Sequence, residues 1–383
     1  MCVCVQAARM LSRIAAILTP AEMAAVRSQL PRAVGAHVVL GMSGGVDSSV
    51  AALLLKAHGL RVTGVWMTNW NADGPSCEQD FDDASKVAAQ LGMECRRVDL
   101  AKEYWLRVWE PCLEDYARGC TPNPDVLCNR EIKFGAFAKL AVESLGADVV
   151  ATGHYARVDA HGTLLRSADA WKDQSYFLCM VNSFARACFP VGGLTKPRVR
   201  ALAKALGLDL SVYTKPESTG VCFVGKQRKT FGAFLSDFID DRAGRFVDAD
   251  SGVDLGPAPS VLALTVGQRA RLGGLRQPLF VVSRDVASGV VRLAKEGHPL
   301  LYTDRLRVHN VALRASAVGG RMVAQTGSRN IKGAACTVSV LEGGRAADVK
   351  FDAQVRRVGD AQVLGLYASD NVACWGGGLV VGG

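Results

Sequence analysis

Apolar runs alternate with helix-like segments through the first half of the chain. Four short runs predict strands, at residues 37–40, 61–67, 95–100 and 147–152. Four segments with helical spacing or helix-stop signals predict helices, at residues 48–57, 81–90, 133–144 and 199–206. Because strands that alternate with helices favour a parallel sheet, the first half is predicted to be a Rossmann-like α/β domain.

The pattern changes after residue 230 or so. Helical spacing fades, and short β-rich runs appear between glycines and prolines, at residues 261–266, 279–282, 290–293, 337–341 and 362–367. Such runs are typical of small antiparallel barrels. The predicted domains are therefore an α/β domain at 36–228, a small central β-rich domain at 229–300 and a C-terminal antiparallel β-barrel at 301–383.

The first 35 residues are basic and poor in acids. They contain four arginines and one acid: Arg9, Arg13, Arg27, Arg32 and Glu22. This composition predicts a transit peptide or an N-terminal extension, and with it a mitochondrial location, the alternatives being another organelle or the cytoplasm. A second interpretation is a short surface helix with Thr19 as its N-cap and Pro20 in its first turn.

The composition adds a charge bias and excludes some classes of protein. Lys and Arg number 45 against 36 Asp and Glu, and the resulting net charge of +9 fits a polyanionic partner such as nucleic acid. Hydrophobic residues make up 49% and charged residues 21%, which argues against a disordered chain. No apolar run approaches the ~18 residues that a membrane-spanning helix needs, so no membrane-embedded protein is expected.

A glycine-rich segment follows the first predicted strand and opens the first predicted helix. It reads Gly41-Met42-Ser43-Gly44-Gly45-Val46-Asp47-Ser48-Ser49. The adjacent glycines let the backbone approach a phosphate, and the N–H groups at the helix N-terminus and the three serine hydroxyls bind an anion. Asp47 is expected to engage Mg²⁺ or to fix the loop. The segment lacks the Gly-Lys-Ser/Thr ending of a Walker A loop.

The 12 cysteines are irregularly spaced and form no C-x-x-C pair, so a zinc ribbon or iron–sulfur site is not expected and a reducing compartment is favoured. Two of them lie in polar, basic segments. Asp125 lies three residues before Cys128, so one helical turn between them would place the carboxylate beside the thiol. The other cysteine, Cys222, lies between Gly220 and Gly225. Sulfur transfer needs one thiolate that carries a persulfide and a second thiol that releases it. Spacing alone favours two unrelated cysteines, 94 positions apart.

These segments occur together in the order found in a known family. The quoted set is the glycine-rich loop, Thr121-Pro122-Asn123-Pro124-Asp125 with Cys128-Asn129, Ala151-Thr152-Gly153-His154-Tyr155, Lys172-Asp173-Gln174-Ser175-Tyr176-Phe177-Leu178, Phe189-Pro190-Val191-Gly192-Gly193-Leu194, Ser218-Thr219-Gly220-Val221-Cys222-Phe223-Val224-Gly225 and Gly267-Gln268-Arg269. With them the chain resembles the tRNA-specific 2-thiouridylase family of PP-loop ATP-pyrophosphatases. The Gly-Leu-Thr-Lys and Gly-Gly-Leu-Arg segments look most like its mitochondrial-type branch.

The resemblance implies a PP-loop catalytic domain and ATP-dependent thiolation of the wobble uridine, U34, in tRNAs for Lys, Glu and Gln. ATP, with Mg²⁺, adenylates the C2 oxygen of uracil, and sulfur then displaces AMP. By resemblance, Cys222 carries the persulfide, Cys128 is the nucleophile or the resolving thiol, and Asp125 is the general acid/base. A persulfide donor such as a cysteine desulfurase relay is the implied partner, and a disulfide bond is expected.

The resemblance also implies binding residues. Contacts with the adenine nucleotide fall on Gly41, Met42, Ser43, Gly44, Gly45, Val46, Asp47, Ser48, Met67 and Gly153. The base pocket and the tRNA contacts fall on Asn123, Pro124, Asp125, His154, Lys172, Asp173, Gln174 and Gln362. From the residues alone, His154 and Lys172 fit a capped strand end and a solvated loop equally well. No protein metal site is implied.

Three positions depart from the family's pattern. Cys120 stands where the family usually has Arg, so this third thiol either competes in disulfide exchange or is tolerated. In the C-terminal barrel, the Arg-Tyr-Arg segment that contacts tRNA is reduced to Ser328-Arg329-Asn330, and a Pro-Gly-Gln turn is matched only at Gln362. Binding of tRNA by the barrel is the least supported part of the resemblance.

Two other functions stay open on the sequence. Another PP-loop adenylating ligase or amidase that acts on a small acid would need no cysteines, but it usually has a glutaminase partner, and no Cys-His-Glu glutaminase signature is present. An RNA-binding protein with a degenerate nucleotide fold would not need the intact glycine-rich loop. The variant Cys222→Ser tests the first alternative, because an amide ligase should keep its activity without this thiol. Binding of tRNA without ATP turnover would support the second.

Overall fold

Two units make up the part of the chain that the structure, a computed structural model, describes: residues 3–70, 75–208, 231–240, 243–274, 277–314, 319–341 and 343–382. The first unit takes the described residues of 1–105, 128–218 and 372–375. The second takes those of 106–127, 219–371 and 376–383. The predicted domain boundaries stay predictions, but residues 106–127, inside the predicted α/β domain, pack with the second unit.

The strands of the first unit are β1 (His37–Gly41), β2 (Arg61–Thr68), β3 (Glu94–Asp99), β4 (Val149–Thr152), β5 (Ala156–Val158), β6 (Leu164–Arg166) and β7 (Ala187–Cys188). Five of them form a parallel sheet in the order β3-β2-β1-β4-β7. Strand β1 is buried at every position, as its apolar run requires for a central strand covered on both faces. β5 and β6 form an antiparallel hairpin. The predicted Rossmann-like α/β fold is confirmed.

The helices of the first unit are α1 (Val3–Ala15), α2 (Pro20–Ser28), α3 (Val46–Ala57), α4 (Pro75–Gln90), α5 (Ala101–Tyr104), α8 (Phe137–Glu143), α9 (Ser175–Leu178) and α10 (Lys196–Ala205). The helices of the second unit are α6 (Glu110–Ala117), α7 (Pro124–Leu127) and α11 (Phe231–Leu235). Two π-helical segments are Trp105–Trp109 and Cys128–Ala136, and Pro299–Leu301 is a 3₁₀ turn. No helix in the described ranges is long and apolar enough to cross a membrane.

The N-terminal helices are packed elements of the first unit. Thr19 caps α2 through a capping box with Glu22, and Pro20 occupies the first turn, so the cap predicted for a surface helix is confirmed. Ile14 and Val26 are fully buried in the same apolar cluster as the side chains of α3 and α10. The segment before β1 therefore contributes to the core, because its apolar face covers these two helices.

The second unit is built mainly from strands. They are β8 (Gly244–Asp248), β9 (Asp254–Ala258), β10 (Leu279–Asp285), β11 (Val290–Lys295), β12 (Tyr302–Leu313), β13 (Gly320–Gln325), β14 (Ala334–Val340), β15 (Ala346–Arg356), β16 (Val363–Tyr367) and β17 (Ala373–Val381), of which residues 376–381 belong to this unit. A small sheet has the order β10-β11-β8-β9, and six strands in the order β12-β15-β14-β13-β16-β17 close into a barrel where β12 pairs with β17. The predicted central domain and C-terminal antiparallel barrel are confirmed.

Gly192 tests how tightly the first unit is packed. A Cβ built at this position would overlap the carbonyl oxygen of Ala156 in β5, and a backbone atom cannot move aside cheaply. Gly192→Ala is therefore expected to lower the free energy of unfolding by about 1–3 kcal/mol, measured by urea denaturation. Gly327→Ala is the control, because an added Cβ meets nothing within 4 Å there. Equal denaturation midpoints for the two variants would contradict the packing argument.

Candidate nucleotide and thiol site

The glycine-rich loop joins β1 to α3 and is closely packed. Gly44 has a φ of 71°, and a Cβ there would overlap the carbonyl oxygen of Asp80, so both conformation and space require glycine. A Cβ on Gly153, just after β4, would lie 2.7 Å from the backbone nitrogen of Ser48. A Cβ on Gly41 would lie 3.2 Å from Cε of Met67. Gly153 therefore adjoins the loop itself, and Met67 adjoins the residue that begins it.

The hydroxyl groups of the loop have different roles. Ser48 Oγ accepts a hydrogen bond from the Ser43 N–H (3.2 Å) and donates one to the Gly45 carbonyl (3.1 Å). Ser49 Oγ donates to the same carbonyl (2.9 Å). Ser48 and Ser49 are buried, whereas Ser43 is exposed. The buried pair fixes the shape of the loop, so of the three predicted hydroxyl donors only Ser43 faces solvent.

Asp47 lies between a lysine and a tyrosine of the same unit. Lys196 Nζ lies 2.8 Å from Oδ1 and 2.7 Å from Oδ2 of this carboxylate, and the Tyr155 hydroxyl donates to Oδ1 (2.8 Å). Gln174 fixes Tyr155 in turn, since its Oε1 accepts the Tyr155 N–H (2.9 Å) and its own N–H donates to the Tyr155 carbonyl (2.8 Å). Of the two roles predicted for Asp47, these contacts support fixing the loop.

Lys196 is a functional candidate that the sequence reasoning missed. It is the first residue of α10, and its backbone N–H donates to Asp169 Oδ2 (2.8 Å). The N-terminus of a helix carries partial positive charge, so a lysine there is unfavourable unless an acidic group faces it. The position of Lys196 was therefore a signal that a carboxylate lies nearby. Its partner, Asp47, lies 149 positions earlier in the chain, and no local pattern links the two.

The loop fits a phosphate better than a metal ion. Exposed Ser43 and half-buried Gly45 lie at the N-terminus of α3, where N–H groups and the helix dipole favour an anion. The oxygens of Asp47 already bind Lys196 and Tyr155, so the carboxylate is not arranged to ligate Mg²⁺. Across the described ranges, no group of three His, Cys, Asp or Glu side chains is placed to hold a metal ion.

Cys128 is buried and begins the π-helix that follows α7. Two basic residues follow Cys128 closely in the sequence and would favour its thiolate, but both have other partners. Arg130 pairs with Glu131 at 2.6 Å, and Lys133 Nζ lies 3.4 Å from Nε2 of His154. Cys222 lies outside the described residues. Its pairing with Cys128, and the disulfide bond expected between them, therefore stay predictions.

His154 is part of the interior of the first unit. Its Nδ1 lies 2.7 Å from Thr152 Oγ1, and its ring contacts the rings of Phe134 and Phe189. Burial, with a smaller effect from Lys133, lowers the pKa of His154 well below its ordinary value, so the imidazole is neutral at pH 7. This geometry fits the capped strand end, and the tRNA contact stays a prediction.

The other predicted tRNA-contacting residues also have partners within their own units. Asp173 accepts from the Ser167 N–H (2.7 Å) and pairs with Arg166 at 2.9 Å. Lys172 is half-buried and its N–H donates to Asp169 Oδ1 (3.2 Å). In the second unit, Gln362 Oε1 accepts the N–H of Gly359 (3.1 Å). These bonds give each side chain or loop a structural role, and their contact with tRNA stays a prediction.

In the second unit, Arg284 of β10 fixes the segment that leads to Asp125. Its guanidinium donates to the carbonyls of Gly119 (3.1 Å) and Cys120 (2.6 Å) and to Thr121 Oγ1 (2.8 Å). On its other side it donates to the carbonyls of Val261, Leu262 and Leu264. Because its rigid guanidinium binds residues 119–121 and 261–264 at once, Arg284 is a positioning residue. No sequence motif identified it.

Asn123 and Asp125 belong to the turn that starts α7. Asn123 Oδ1 accepts the N–H groups of Asp125 (3.1 Å) and Val126 (3.2 Å), which makes Asn123 the cap of this short helix. Pro124 is its first residue and is buried. The predicted helical backbone at Asp125 is confirmed, and its roles in acid/base catalysis and in the base pocket stay predictions.

Cys120 is half-buried beside two acidic side chains. Burial raises the pKa of its thiol above the ordinary value, and the charges of Asp115 and Asp360 raise it further against the opposing effect of Arg118 and Arg284. The thiolate is the reactive form, so this thiol is a weak nucleophile at neutral pH. Of the two roles left open for Cys120, the raised pKa favours a tolerated thiol.

The parallel sheet, the glycine-rich loop and the Asp47–Lys196 pair define an α/β nucleotide-binding protein with a PP-loop. Residues 36–226 match the family described as "tRNA methyl transferase HUP domain", and residues 232–295 match the one described as "tRNA methyl transferase PRC-barrel domain". The chain is also 40% identical, over 90% of its length, to curated tRNA-specific 2-thiouridylases, and it belongs to that family.

Similar curated proteins carry the name "tRNA-specific 2-thiouridylase MnmA". The protein of Proteus mirabilis is 40% identical over 362 residues, which cover 90% of this chain and 96% of the relative. The Bacillus subtilis protein is 40% identical over 358 residues, covering 90% and 94%. The Methylococcus capsulatus protein is 42% identical over 365 residues, covering 90% and 96%. The match therefore extends over nearly the whole length of each relative.

The raised pKa of Cys120 gives a pH-dependent expectation. At neutral pH its alkylation by iodoacetamide should be slow, and because its pKa lies above the ordinary 9.0, the rate should still be rising above pH 9. The measurement is mass spectrometry of the Cys120 peptide from about pH 6 to about pH 10. Cys120→Ser is expected to keep full activity. A labelling rate that levels off below pH 8 or so contradicts the assignment.

Proposed function

We propose that this protein thiolates uridine at the wobble position, U34, of tRNA, with ATP and a cysteine persulfide as co-substrates. The observation that carries the proposal is the 40% identity, over 90% of the chain, to proteins named tRNA-specific 2-thiouridylase. The packed glycine-rich loop with its Asp47–Lys196 pair supports the nucleotide half of the reaction. Cys128, directly after the capped helix that carries Asp125, supports the thiol half.

The first step activates the base. The C2 oxygen of uracil attacks the α-phosphorus of ATP, the bond to the β-phosphate oxygen breaks, and pyrophosphate leaves. The N–H groups at the start of α3 and the Lys196 ammonium stabilise negative charge that develops on the leaving phosphates. Mg²⁺ bound to ATP would neutralise part of the same charge. Adenylation makes the C2 oxygen a good leaving group, which explains why a thiolase needs a nucleotide loop.

The second step transfers sulfur. The terminal sulfur of a Cys222 persulfide attacks C2, and AMP leaves with the former carbonyl oxygen. The Cys128 thiolate then attacks Sγ of Cys222, so that the bond between the two persulfide sulfurs breaks and 2-thiouridine is released. This leaves a Cys128–Cys222 disulfide, which a thiol reductant returns to two thiols. Asp125 takes and returns the proton of the thiol or the base.

The partners follow from the chemistry of this reaction. The persulfide on Cys222 requires a donor of sulfane sulfur, and a cysteine desulfurase relay supplies this class of sulfur. The proposed substrates are tRNAs for Lys, Glu and Gln, and the proposed nucleotide is Mg²⁺-bound ATP. The net charge of +9 supports binding of the tRNA phosphates. We include a mitochondrial-type enzyme, which fractionation of the native cells tests. Its support is the Gly-Leu-Thr-Lys and Gly-Gly-Leu-Arg segments, since most of the arginine-rich segment before β1 is packed into the first unit.

Reconstitution tests the reaction directly. The full chain with ATP, Mg²⁺, a persulfide donor, a thiol reductant and unmodified tRNA is expected to give 2-thiouridine at U34, detected by mass spectrometry of nucleosides. Cys128→Ser, Cys222→Ser and Asp125→Asn should each lower product at least a hundredfold, since each removes a group that the chemistry requires. Cys120→Ser is the matched cysteine control and should keep the product. An enzyme that forms no 2-thiouridine, yet amidates a small acid when Cys222 is replaced, supports the ligase alternative.

Lys196 should act at the activation step. Lys196→Met removes the cation beside the loop and is expected to lower kcat/KM for pyrophosphate release roughly 10²–10³-fold, a typical loss when one charge-stabilising group is removed. Lys204→Met, on the exposed face at the other end of α10, is the control and should change the rate less than about twofold. Similar rates of pyrophosphate release for the two variants would show that Lys196 does not act in the activation step.

A further inference from the structure

The N-terminal helices reach both elements that hold Asp47. Lys196 begins α10, and Tyr155 directly precedes β5, so the positions of α10 and β5 decide where the two partners of Asp47 lie. Residues before 36 precede the stretch that matches the family domain. The contacts that α1 and α2 make with α10 and β5 therefore come from outside the stretch that matches the family domain.

The contacts with α10 occur at both ends of that helix. Glu22 of α2 pairs with Arg198 in its first turn, with Oε1 and Nε 2.8 Å apart. Arg13 of α1 donates from its guanidinium to the carbonyl of Ala205, the last residue of α10, also at 2.8 Å. A Cβ added to Gly193, just before α10, would lie 2.9 Å from the Cβ of Ala25. Helix α10 is thus fixed along its length by the N-terminal segment.

The contact with β5 is made by one buried side chain. Gln29, the C-cap residue of α2, accepts the N–H of Val158 at its Oε1 (2.8 Å), and its amide group lies 3.4 Å from the Val158 carbonyl. Val158 ends β5, which starts directly after Tyr155. A displacement of Gln29 would therefore release the backbone groups at the end of the strand that Tyr155 leads into.

Glu22 remains ionised over a wide pH range. The N–H of Thr19 donates to its carboxylate (2.8 Å), and this bond, with those from the Thr19 hydroxyl and Arg198, lowers the pKa of Glu22 below its ordinary value. Because Glu22 both closes the capping box of α2 and pairs with Arg198, the cap and the contact with α10 depend on one side chain.

We propose that α1 and α2 form a brace, defined by Arg13, Glu22 and Gln29, which positions Lys196 and Tyr155 on Asp47 and so keeps the glycine-rich loop in its ATP-binding shape. The three brace residues touch α10 and β5 and not the loop, so they are positioning residues. The inference rests on the proposed function because it takes ATP as the ligand of the loop.

Calorimetric titration of the full chain with ATP tests the brace. The double change Glu22→Gln and Gln29→Met removes the ion pair and the bonds to Val158, while Gln retains a capping-box partner and Met fills the buried space. It is expected to raise the Kd for ATP about three- to tenfold. In a background of Lys196→Met with Tyr155→Phe the same double change should alter the Kd less than about twofold, because the brace acts through these two partners of Asp47. Arg32→Gln, exposed in the same segment, is the control.

Amine acetylation gives a second readout that needs no ATP. In the double variant, labelling of Lys196 should rise several-fold while labelling of Lys204, on the same helix, stays constant. A parallel rise at both lysines, or an equal loss of ATP affinity in both backgrounds, means that the segment only stabilises the unit and overturns the brace. An unchanged Kd in the double variant overturns it as well. A parent protein that binds no ATP overturns the proposed function instead.

Discussion

The carboxylate of Asp47 is the point on which the nucleotide half of the structure depends. It binds the Lys196 ammonium and the Tyr155 hydroxyl, which come from α10 and from the turn before β5. Breaking such a partly buried pair leaves an uncompensated charge, so the loop, the helix and the strand are coupled. The glycine-rich loop is therefore stabilised by residues more than a hundred positions away as well as by its own serines.

Much of the fold could be predicted because its signals are local. The apolar run of β1, the glycine pair and the helix after it identify a phosphate loop from about ten residues, and the β-rich runs after residue 230 identify the barrel. The capping box at Thr19 and Glu22 is equally local. The sequence could not show that the N-terminal segment is buried against α3 and α10, since its apolar face is short and carries basic residues on both sides.

The site was less predictable where contacts are distant. Lys196 ends the Gly-Leu-Thr-Lys segment, but that segment gave no role to the lysine, and Arg284 lies on a strand without a motif. Only the fold brings these two residues to Asp47 and to Thr121. The resemblance implied a tRNA contact for His154, and the residues alone fitted a capped strand end equally well. The fold buries His154 among aromatic side chains, and this burial lowers its pKa. A motif shows that a residue belongs to a site, but it does not show which atoms the side chain meets.

The burial of the N-terminal helices limits how the chain can mature. A processing protease that cut after Leu30 would take Ile14, Leu18 and Val26 out of the core and expose the apolar faces of α3 and α10. Each such side chain is worth roughly 1.5–3 kcal/mol when buried, so their combined loss is comparable with the whole stability of a typical domain. Met10 and Leu11 of α1 pack against the same cluster, so any cleavage that leaves this fold intact must fall upstream of Met10.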